Sequence, residues 1–376
     1  MTTVPMSLAG LLKGQLKFMS QYFDVIGISS SGQGLLKEIE TWEDIQSIPV
    51  EMTRKITPIK DLTAVYKLYK IFKTEQPFIV HTHTPKAGTL GMLAAKWAGV
   101  PHRLHTIAGL PLVEASGPKR LLLNIVEKIT YKCATKIYPN SNGLKEIILE
   151  HKFTSKTKLK VLGNGSSNGI DTSYYDTLMV SDKNKKDLKE QLGIKPNDFV
   201  FLFVGRLVND KGINELIDAF AHISKAFAHA KLLLVGPYET HMDPLKGKTM
   251  ETIKTHKNII AVGWQNDVRP YFAISNILVF PSYREGFPNV VLQAGAMKLP
   301  CIVTNINGCN EIVSEPDNGI IIPVKNTGAL RSAMETMYRM PTKERNIMGE
   351  TSRKMIVAKF EQQFVWNEIL GEYTQL

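Results

Sequence analysis

Residues 279–313 read VFPSYREGFPNVVLQAGAMKLPCIVTNINGCNEIV, and the stretch predicts a strand, loop, helix, strand, loop and helix in that order. Its first strand is the apolar run from Ile277 to Phe280, which has the length of a buried strand, and Pro281 ends it. Pro288 opens the helix at or near its first position, where a missing N–H costs nothing. The next strand is Cys301–Thr304. Strands and helices that alternate in this way are typical of an α/β protein with a parallel sheet.

The same stretch predicts an anion site at the carboxyl edge of that sheet. The N–H groups at the start of the Pro288 helix carry partial positive charge and suit a phosphate. Glu285 directly precedes the helix, where its carboxylate can accept hydrogen bonds from hydroxyl groups attached to the phosphate. Gln293 lies about two helical turns further on, within reach of a more distant part of the ligand. A carboxylate, a helix N-terminus and an amide in this order suit a sugar, a diphosphate and a ribose.

Three segments, EGFPNVVLQA at 285–294, PCIVT at 300–304 and GCNEIV at 308–313, resemble the donor-site motif of family 4 retaining glycosyltransferases. These enzymes have the GT-B fold and use nucleotide-activated sugars. The family pattern has two glutamates, of which this chain matches the first with Glu285 and departs at the second, Gln293. Since an amide lacks charge-assisted strength, the departure bears on donor affinity or choice. The resemblance implies that Gly286, Phe287 and Pro288 bind the donor, while Glu311 is either a helix cap or a donor contact.

A second motif, at 205–212, lies between the apolar run Phe199–Val204 and the next predicted helix. Arg206 offers a planar guanidinium for bidentate contact, and Lys211 offers a point charge, which together suit a diphosphate. The pattern G-R-L…K-G matches the family's diphosphate motif, so the resemblance implies that Gly205, Arg206 and Lys211 bind the donor. Two cations and a helix dipole neutralise two phosphates, and no D-x-D motif occurs. We therefore expect no cofactor and no metal.

Histidines mark the ends of two predicted strands in the first half of the chain. His83 and His105 both fall at the carboxyl edge of the predicted sheet, where ligands bind. A histidine at a strand end is most often a structural residue. The resemblance aligns His105 with a histidine near the donor sugar, which makes it a catalytic candidate beside Glu285, Arg206 and Lys211. His83 and Lys86 are candidates for the acceptor side.

The length of 376 residues suits two domains. The resemblance implies an α/β GT-B protein with two Rossmann-like domains whose parallel sheets face a cleft. Residues 1–171 would form the acceptor-side domain and 172–358 the nucleotide-sugar domain, with a C-terminal helix, about 359–376, crossing back to the first. Only Thr2–Val4 remains of a first strand, which favours a start further upstream or a short, edge-like strand. Residues 8–23 predict one amphipathic helix, and 160–162 the last strand of the first domain.

Composition and charge limit the classes of binding partner and the cellular compartment that we expect for this protein. The formal net charge of +11 favours acidic partners, and anionic lipid and diphosphates account for it better than nucleic acid, since no nucleic-acid motif occurs. Three cysteines without disulfide or metal spacing fit a reducing cytoplasm. The basic amphipathic segment 119–136 predicts a core-packed helix or a peripheral contact with the inner face of the plasma membrane.

The segment HTHTPKAG at 81–88 and the start of the chain are similar to bacterial enzymes that build capsule, O-antigen or other lipid-linked glycans. The resemblance implies a retaining glycosyltransferase that moves a sugar from a nucleotide-sugar donor, with UDP favoured, to a glycan or polyprenyl-diphosphate-linked acceptor. Two alternatives stay open. A nucleotide-sugar 2-epimerase of similar fold needs no acceptor, and a catalytically silent sugar-nucleotide-binding protein fits Gln293 and the short first strand.

Overall fold

The chain is built from two compact units. The computed structural model describes residues 1–53, 55, 57–110, 112, 116–239 and 243–376. Unit 1 comprises residues 1–169 with 363–376, and unit 2 comprises residues 170–362. Among the described residues, no helix is both long enough and apolar enough to cross a membrane.

Unit 1 contains two parallel sheets. One pairs β1 (Ile26–Ser29) with β2 (Gln46–Pro49), and the other has the order β3-β4-β5, with β3 (Ile79–Thr82), β4 (His102–Ile107) and β5 (Lys136–Pro139). The helices that cover these sheets are α1 (Pro5–Leu11), α2 (Gln15–Met19), α3 (Leu35–Glu43), α4 (Pro58–Glu75), α5 (Pro85–Ala98), α6 (Gly117–Cys133) and α7 (Asn142–Glu150).

The first three residues connect the two sheets of unit 1. The N–H of Thr2 donates to the carbonyl of Ile28 on β1, at 2.9 Å. The N–H of His83, just after β3, donates to the carbonyl of Met1, at 3.1 Å. The segment predicted as an edge-like strand therefore lies between β1 and β3, because it hydrogen-bonds on both sides.

Two sequence predictions for unit 1 are wrong. The single helix predicted over residues 8–23 is two helices, α1 and α2, because Gly14 adopts a left-handed conformation with φ of 77° between them. Residues 160–162 form no strand, and the contact with β5 is an isolated bridge between Leu159 and Ile137. Pairing stays this short because a 3-10 turn precedes it and Gly163 turns the chain at φ of 53°.

Unit 2 has one six-stranded parallel sheet. Its strands are β6 (Phe199–Val204), β7 (Ala230–Val235), β8 (Ile259–Ala261), β9 (Ile277–Phe280), β10 (Cys301–Thr304) and β11 (Gly319–Ile322), in the order β11-β10-β9-β6-β7-β8. Its helices are α8 (Asp182–Gln191), α9 (Ile213–Ala226), α10 (Gly247–Thr255), α11 (Arg269–Ala273), α12 (Asn289–Ala296), α13 (Cys309–Ile312), α14 (Thr327–Arg339) and α15 (Thr342–Phe360). The last helix, α16 (Gln362–Thr374), belongs to unit 1 from Gln363 onward.

The strand order of unit 2 determines where a ligand can bind. It is the order of a dinucleotide-binding sheet, in which the first and fourth strands, here β6 and β9, are neighbours. The connections that follow these two strands run to opposite sides of the sheet and leave a crevice at its carboxyl edge. The segments at 205–212 and 281–288, which contain both sequence motifs, follow β6 and β9. The fold therefore brings the two motifs to one place.

The last helix completes the core of unit 1, as the sequence predicted. Val365 and Ile369 of α16 are buried against Phe18 and Leu104. The hydroxyl of Tyr138 on β5 donates to the carboxylate of Glu372, at 3.0 Å. Helix α16 is therefore an integral part of unit 1.

Two helical glycines make a matched test of packing. A Cβ on Gly349 in α15 would collide with the carbonyl of Lys298, whereas one on Gly371 in α16 would meet nothing within 4 Å. Alanine suits a helix interior better than glycine. We expect Gly371→Ala to raise the free energy of unfolding by about 0.5–1 kcal/mol, and Gly349→Ala to lower it by about 1–3 kcal/mol. Urea unfolding measures both, and a gain from Gly349→Ala would contradict the packing described.

Candidate functional site

The loops after β6 and β9 approach each other closely at the carboxyl edge of unit 2. Lys211 ends a short 3-10 turn, and Gly212 follows it with φ of 70° at the start of α9. A Cβ on Gly212 would collide with the carbonyl of Pro281. Glycine therefore lets the first motif lie directly against the second.

A mostly buried ion pair joins the two motifs. The ammonium of Lys211 contacts the carboxylate of Glu285, and their side chains are 14% and 16% exposed. The hydroxyl of Ser282 donates to the same carboxylate oxygen of Glu285, at 2.8 Å. The structure thus brings together two residues that the sequence predicted for one site, and it fixes a cation beside a carboxylate.

Asp210, which the sequence interpretation did not single out, holds the two loops in register. Its carbonyl accepts from the N–H of Tyr283, at 2.8 Å. Its carboxylate accepts from the guanidinium of Arg284, at 3.0 Å. Its position directly before Lys211 was the signal available in the sequence. Asp210 thereby fixes the backbone directly before Lys211.

Arg206 is more accessible than Lys211. It follows Gly205, whose N–H donates to the carbonyl of Val235 at 2.9 Å. The guanidinium of Arg206 is 43% exposed and pairs with Glu239 at 2.6 Å. Exposed ion pairs of this kind contribute about 0–1 kcal/mol, so an anionic ligand can displace Glu239 at little cost.

Helix α12 begins next to Pro288, within the bounds that the sequence predicted. Pro288 is the N-cap, with φ of −78° and ψ of 108°, and Asn289 is the first helical residue. Gly286, Phe287 and Pro288 are buried, and the side-chain amide of Asn307 donates to the carbonyl of Glu285. The segment before the helix is therefore held from the loop after β10.

Gln293 and Glu311 are both engaged within unit 2. The amide nitrogen of Gln293 donates to the hydroxyl of Tyr175, at 2.9 Å, and burial raises the pKa of Tyr175 to about 12. The sequence interpretation missed Tyr175, because it lies in a loop without periodicity. The carboxylate of Glu311 accepts from the N–H of Gly308 at 3.3 Å, the contact of a helix cap for α13.

Two candidates of unit 1 have partners of their own. The ring of His105 is 3% exposed and hydrogen-bonds with the hydroxyl of Thr82, at 2.8 Å. Burial lowers the pKa of His105 to about 4, and a Cβ on Gly88 of α5 would collide with its ring. The ammonium of Lys86 pairs with Asp61 at 2.6 Å. A phosphate at Lys86 would compete with this carboxylate.

His83 lies in a neutral polar cluster at the end of β3. Its ring packs on that of His81 with centroids 4.1 Å apart, and His81 hydrogen-bonds with Thr106 at 2.7 Å and also with Tyr373. Burial lowers the pKa of both histidines well below the usual value. Both rings are therefore neutral near pH 7. In the described part of the chain, no group of three His, Cys, Asp or Glu side chains is placed to hold a metal ion.

Two family models match the chain, one in each half. The model for Glycosyl transferases group 1 matches residues 184–355, and the model for Glycosyl transferase 4-like matches residues 12–141. The first match contains both motifs of the unit 2 crevice. The second contains the three histidines at the ends of β3 and β4.

Curated relatives align over most of the chain. It is 33% identical over 364 residues to the capsular polysaccharide biosynthesis glycosyltransferase CapM of Staphylococcus aureus, covering 96% of this chain and 93% of the relative. It is also 33% identical over 313 residues to the Escherichia coli UDP-Gal:alpha-D-GlcNAc-diphosphoundecaprenol alpha-1,3-galactosyltransferase, covering 82% of this chain and 78% of the relative.

Solved structures share the fold at lower identity. A glycosyltransferase from Rickettsia africae matches with a TM-score of 0.81 at 23% identity, covering 100% of this chain and 97% of that one. Anabaena HepE in complex with UDP matches with a TM-score of 0.81 at 17% identity, covering 100% and 98%. At these identities, the likeness concerns the fold.

The Lys211–Glu285 pair predicts strong energetic coupling. Because each charge is mostly buried, Lys211→Met or Glu285→Gln alone leaves its partner unpaired, and each should lower the free energy of unfolding by about 2 kcal/mol. The double variant should lose at least about 1 kcal/mol less than the sum.

The exposed pair Lys186–Glu190, with side chains 77% and 68% exposed, is the matched control. Its double-mutant cycle should give a coupling of about 0.5 kcal/mol or less. Urea unfolding measures both cycles, and equal coupling in the two would contradict the buried ion pair.

Proposed function

Because the chain belongs to the group 1 glycosyltransferases and has the GT-B fold, we propose that it transfers a sugar from a UDP-linked donor to a lipid-linked glycan in bacterial surface polysaccharide synthesis. The observation that carries this proposal is the Lys211–Glu285 pair at the switch point of the unit 2 sheet. The E. coli relative acts on a diphosphoundecaprenol-linked sugar, which supports the acceptor class, and the S. aureus relative supports a role in capsular polysaccharide synthesis. The HepE complex supports UDP as the nucleotide.

The donor's charged and neutral parts meet different side chains in unit 2. Arg206 and Lys211 bind the diphosphate, one by a guanidinium that is exposed and the other by an ammonium held in place. Glu285 accepts hydrogen bonds from hydroxyl groups of the donor sugar. Gln293 accepts from the ribose through its carbonyl oxygen, since Tyr175 takes its amide nitrogen.

Stabilisation of the leaving group supplies much of the rate enhancement. When the bond between the anomeric carbon and the diphosphate oxygen breaks, negative charge grows on the oxygens beside Arg206 and Lys211. A preorganised cation in a partly buried site lowers the barrier because it needs no reorganisation during the reaction. The acceptor oxygen forms the new bond to the anomeric carbon, and its proton passes to the departing phosphate. The configuration is retained in this mechanism.

The proposed reaction needs no metal ion. Arg206 and Lys211 together balance two negative charges of a diphosphate, and the N-terminus of α12 adds partial positive charge next to them. Activity should therefore persist in excess EDTA. Complete loss with EDTA, reversed by a divalent cation, would contradict this part of the proposal.

Nucleotide release from a panel of UDP-, GDP- and other nucleotide sugars tests the proposal, with membrane lipid extract as the acceptor. The wild type should release UDP only when both a UDP-sugar and the extract are present. Lys211→Met and Glu285→Gln should each lower kcat by about 10²-fold or more, because each removes a group preorganised for the transition state.

A charge-matched variant and the products complete this experiment. Arg339→Gln removes a cation that is 64% exposed on α14, and it should leave the rate of nucleotide release unchanged. Arg206→Gln should lower that rate. An altered sugar nucleotide formed without extract would identify an epimerase instead. Nucleotide binding without release in any combination would identify a silent binding protein.

We further propose that α6 attaches the enzyme to anionic lipid at the inner face of the plasma membrane. Leu121, Ile125 and Ile129 are 63%, 48% and 44% exposed, and their spacing of four residues places them on one face of the helix. Lys128 and Lys132 on the same helix are exposed. An apolar row flanked by lysines suits an interface with anionic headgroups. This favours the membrane interpretation of the segment over the core-packed one.

Liposome flotation tests the attachment. The wild type should float with vesicles that contain anionic lipid and remain unbound with neutral vesicles. Replacing Ile125 and Ile129 with Gln should abolish flotation, because about 1 kcal/mol or more of apolar transfer is lost at each position. Ile347→Gln changes an isoleucine that is 58% exposed in unit 2, and this variant should float as the wild type does. Equal flotation of all three proteins would rule out α6.

A further inference from the structure

A second polar site lies entirely within unit 1, at the carboxyl edge of the sheet β3-β4-β5. A small cavity of about 10 Å³ lies there, which is room for about one water-sized group. His83, Asn140 and Ser167 line it. They come from the ends of β3 and β5 and from the turn at 163–169.

Each of these three side chains has a buried polar atom without a hydrogen-bond partner. The atoms are Nδ1 of His83, Oδ1 of Asn140 and Oγ of Ser167. His83 and Asn140 are only 5% and 6% exposed. A buried polar atom left without a partner costs about 1–3 kcal/mol, so three around one cavity indicate a site built for a ligand group.

The neighbouring polar groups show that the fold itself does not use these atoms. His81 also lines the cavity, and both nitrogens of its ring are engaged by Thr106 and Tyr373. The hydroxyl of Ser166, next to Ser167, accepts from the N–H of Gly169 at 3.0 Å. His81 and Ser166 thus form hydrogen bonds within unit 1, whereas the neighbouring unpartnered atoms of His83, Asn140 and Ser167 do not.

The chemistry of the three atoms suits one hydroxyl group. Oδ1 of Asn140 can only accept, so the occupant must donate to it. The hydroxyl of Ser167 and Nδ1 of a neutral His83 can each donate to the occupant. A hydroxyl offers one donor and two lone pairs, which matches one bond given and two received.

The site does not suit a phosphate. Among the described residues that line the cavity, none carries a formal charge at neutral pH, since burial keeps His81 and His83 neutral. A phosphate here would face the carbonyl oxygen of Asn140 without a cation. The diphosphate-binding cations of this chain belong to unit 2, so the two units bind chemically different groups.

We propose that His83, Asn140 and Ser167 bind one hydroxyl group of the acceptor sugar and thereby select the acceptor. This inference rests on the proposed function, because it assumes that the chain uses a glycan acceptor. It goes beyond that function in assigning the recognition to a neutral site of three residues in unit 1.

Kinetics of the full-length enzyme test the assignment, with membrane lipid extract as the acceptor and the UDP-sugar that the panel identifies. Ser167→Ala and Asn140→Leu should each raise the apparent KM for the extract about 3- to 10-fold, the range for one lost hydrogen bond. The KM for the UDP-sugar should stay unchanged. His83→Asn, which keeps a donor near Nδ1, should retain more activity than His83→Leu. An unchanged KM for the extract, or a rise only in the donor KM, would overturn the proposal.

The stability of the variants gives a second test that needs no turnover. Ser141 is the matched control, because its buried hydroxyl accepts from the N–H of Leu144 as the cap of α7. Ser141→Ala should lower the Tm by about 2 °C or more. Ser167→Ala removes a hydroxyl that the fold does not use, so its Tm should equal or exceed that of the wild type.

A fall in Tm with Ser167→Ala as large as that with Ser141→Ala would overturn the proposal, because the hydroxyl would then be satisfied within the fold. This outcome differs from failure of the proposed function. If the wild type transfers no sugar from any donor, the transferase proposal fails, while the pair of Tm values still decides whether Ser167 belongs to a ligand site.

Discussion

The burial of the Lys211–Glu285 ion pair constrains the crevice at the carboxyl edge of the unit 2 sheet. An ammonium or a carboxylate that is about 15% exposed needs its partner nearby, since an unpaired buried charge is costly. The two charges belong to different strand-to-helix connections, so both backbones must come together at the switch point. Gly212 permits that approach against Pro281, and Asp210 ties the loops on the other side. The sheet supplies the crevice, and the ion pair determines its geometry.

Burial has the opposite electrostatic effect in unit 1. There desolvation is the largest influence on the histidines at the strand ends, and it lowers their pKa values. The carboxyl edge of the sheet therefore carries fixed charges in unit 2, whereas in unit 1 it carries neutral hydrogen-bond donors and acceptors. A nucleotide sugar has a charged diphosphate, whereas the sugar of an acceptor offers hydroxyl groups. This difference in charge is the physical basis for assigning different substrates to the two units.

Much of this architecture could be predicted from the sequence, because its signals are local. The strands Phe199–Val204, Ile277–Phe280 and Cys301–Thr304 were predicted with the bounds observed. Each is a short, largely apolar run, followed by Gly205, Pro281 and Asn305 respectively. The order of motifs along the chain also indicated that Lys211 and Glu285 share a site.

The features that could not be predicted from the sequence depend on contacts with residues distant along the chain. Lys86 is paired with Asp61, which lies 25 residues away along the chain, so the sequence does not reveal whether Lys86 is available to a ligand. Asn140 and Ser167 have no signal in the sequence, because an unpartnered atom is recognised only when every neighbour is known. Residues 160–162 failed as a strand because an apolar pattern does not reveal that adjacent turns leave room for a single bridge.

The effect of Gln293, where the family pattern has a glutamate, depends on its hydrogen-bond partner Tyr175. As a lone amide it offers a ligand less than a glutamate does, because the charge is missing. Its nitrogen, however, donates to Tyr175, which leaves the carbonyl oxygen to accept and the phenol proton to be donated. Since the pKa of Tyr175 is raised to about 12, that proton is retained at neutral pH. In the proposed donor complex, the pair can both accept from and donate to the ribose hydroxyls, whereas a carboxylate can only accept. The substitution therefore exchanges charge for a second kind of hydrogen bond at the same position.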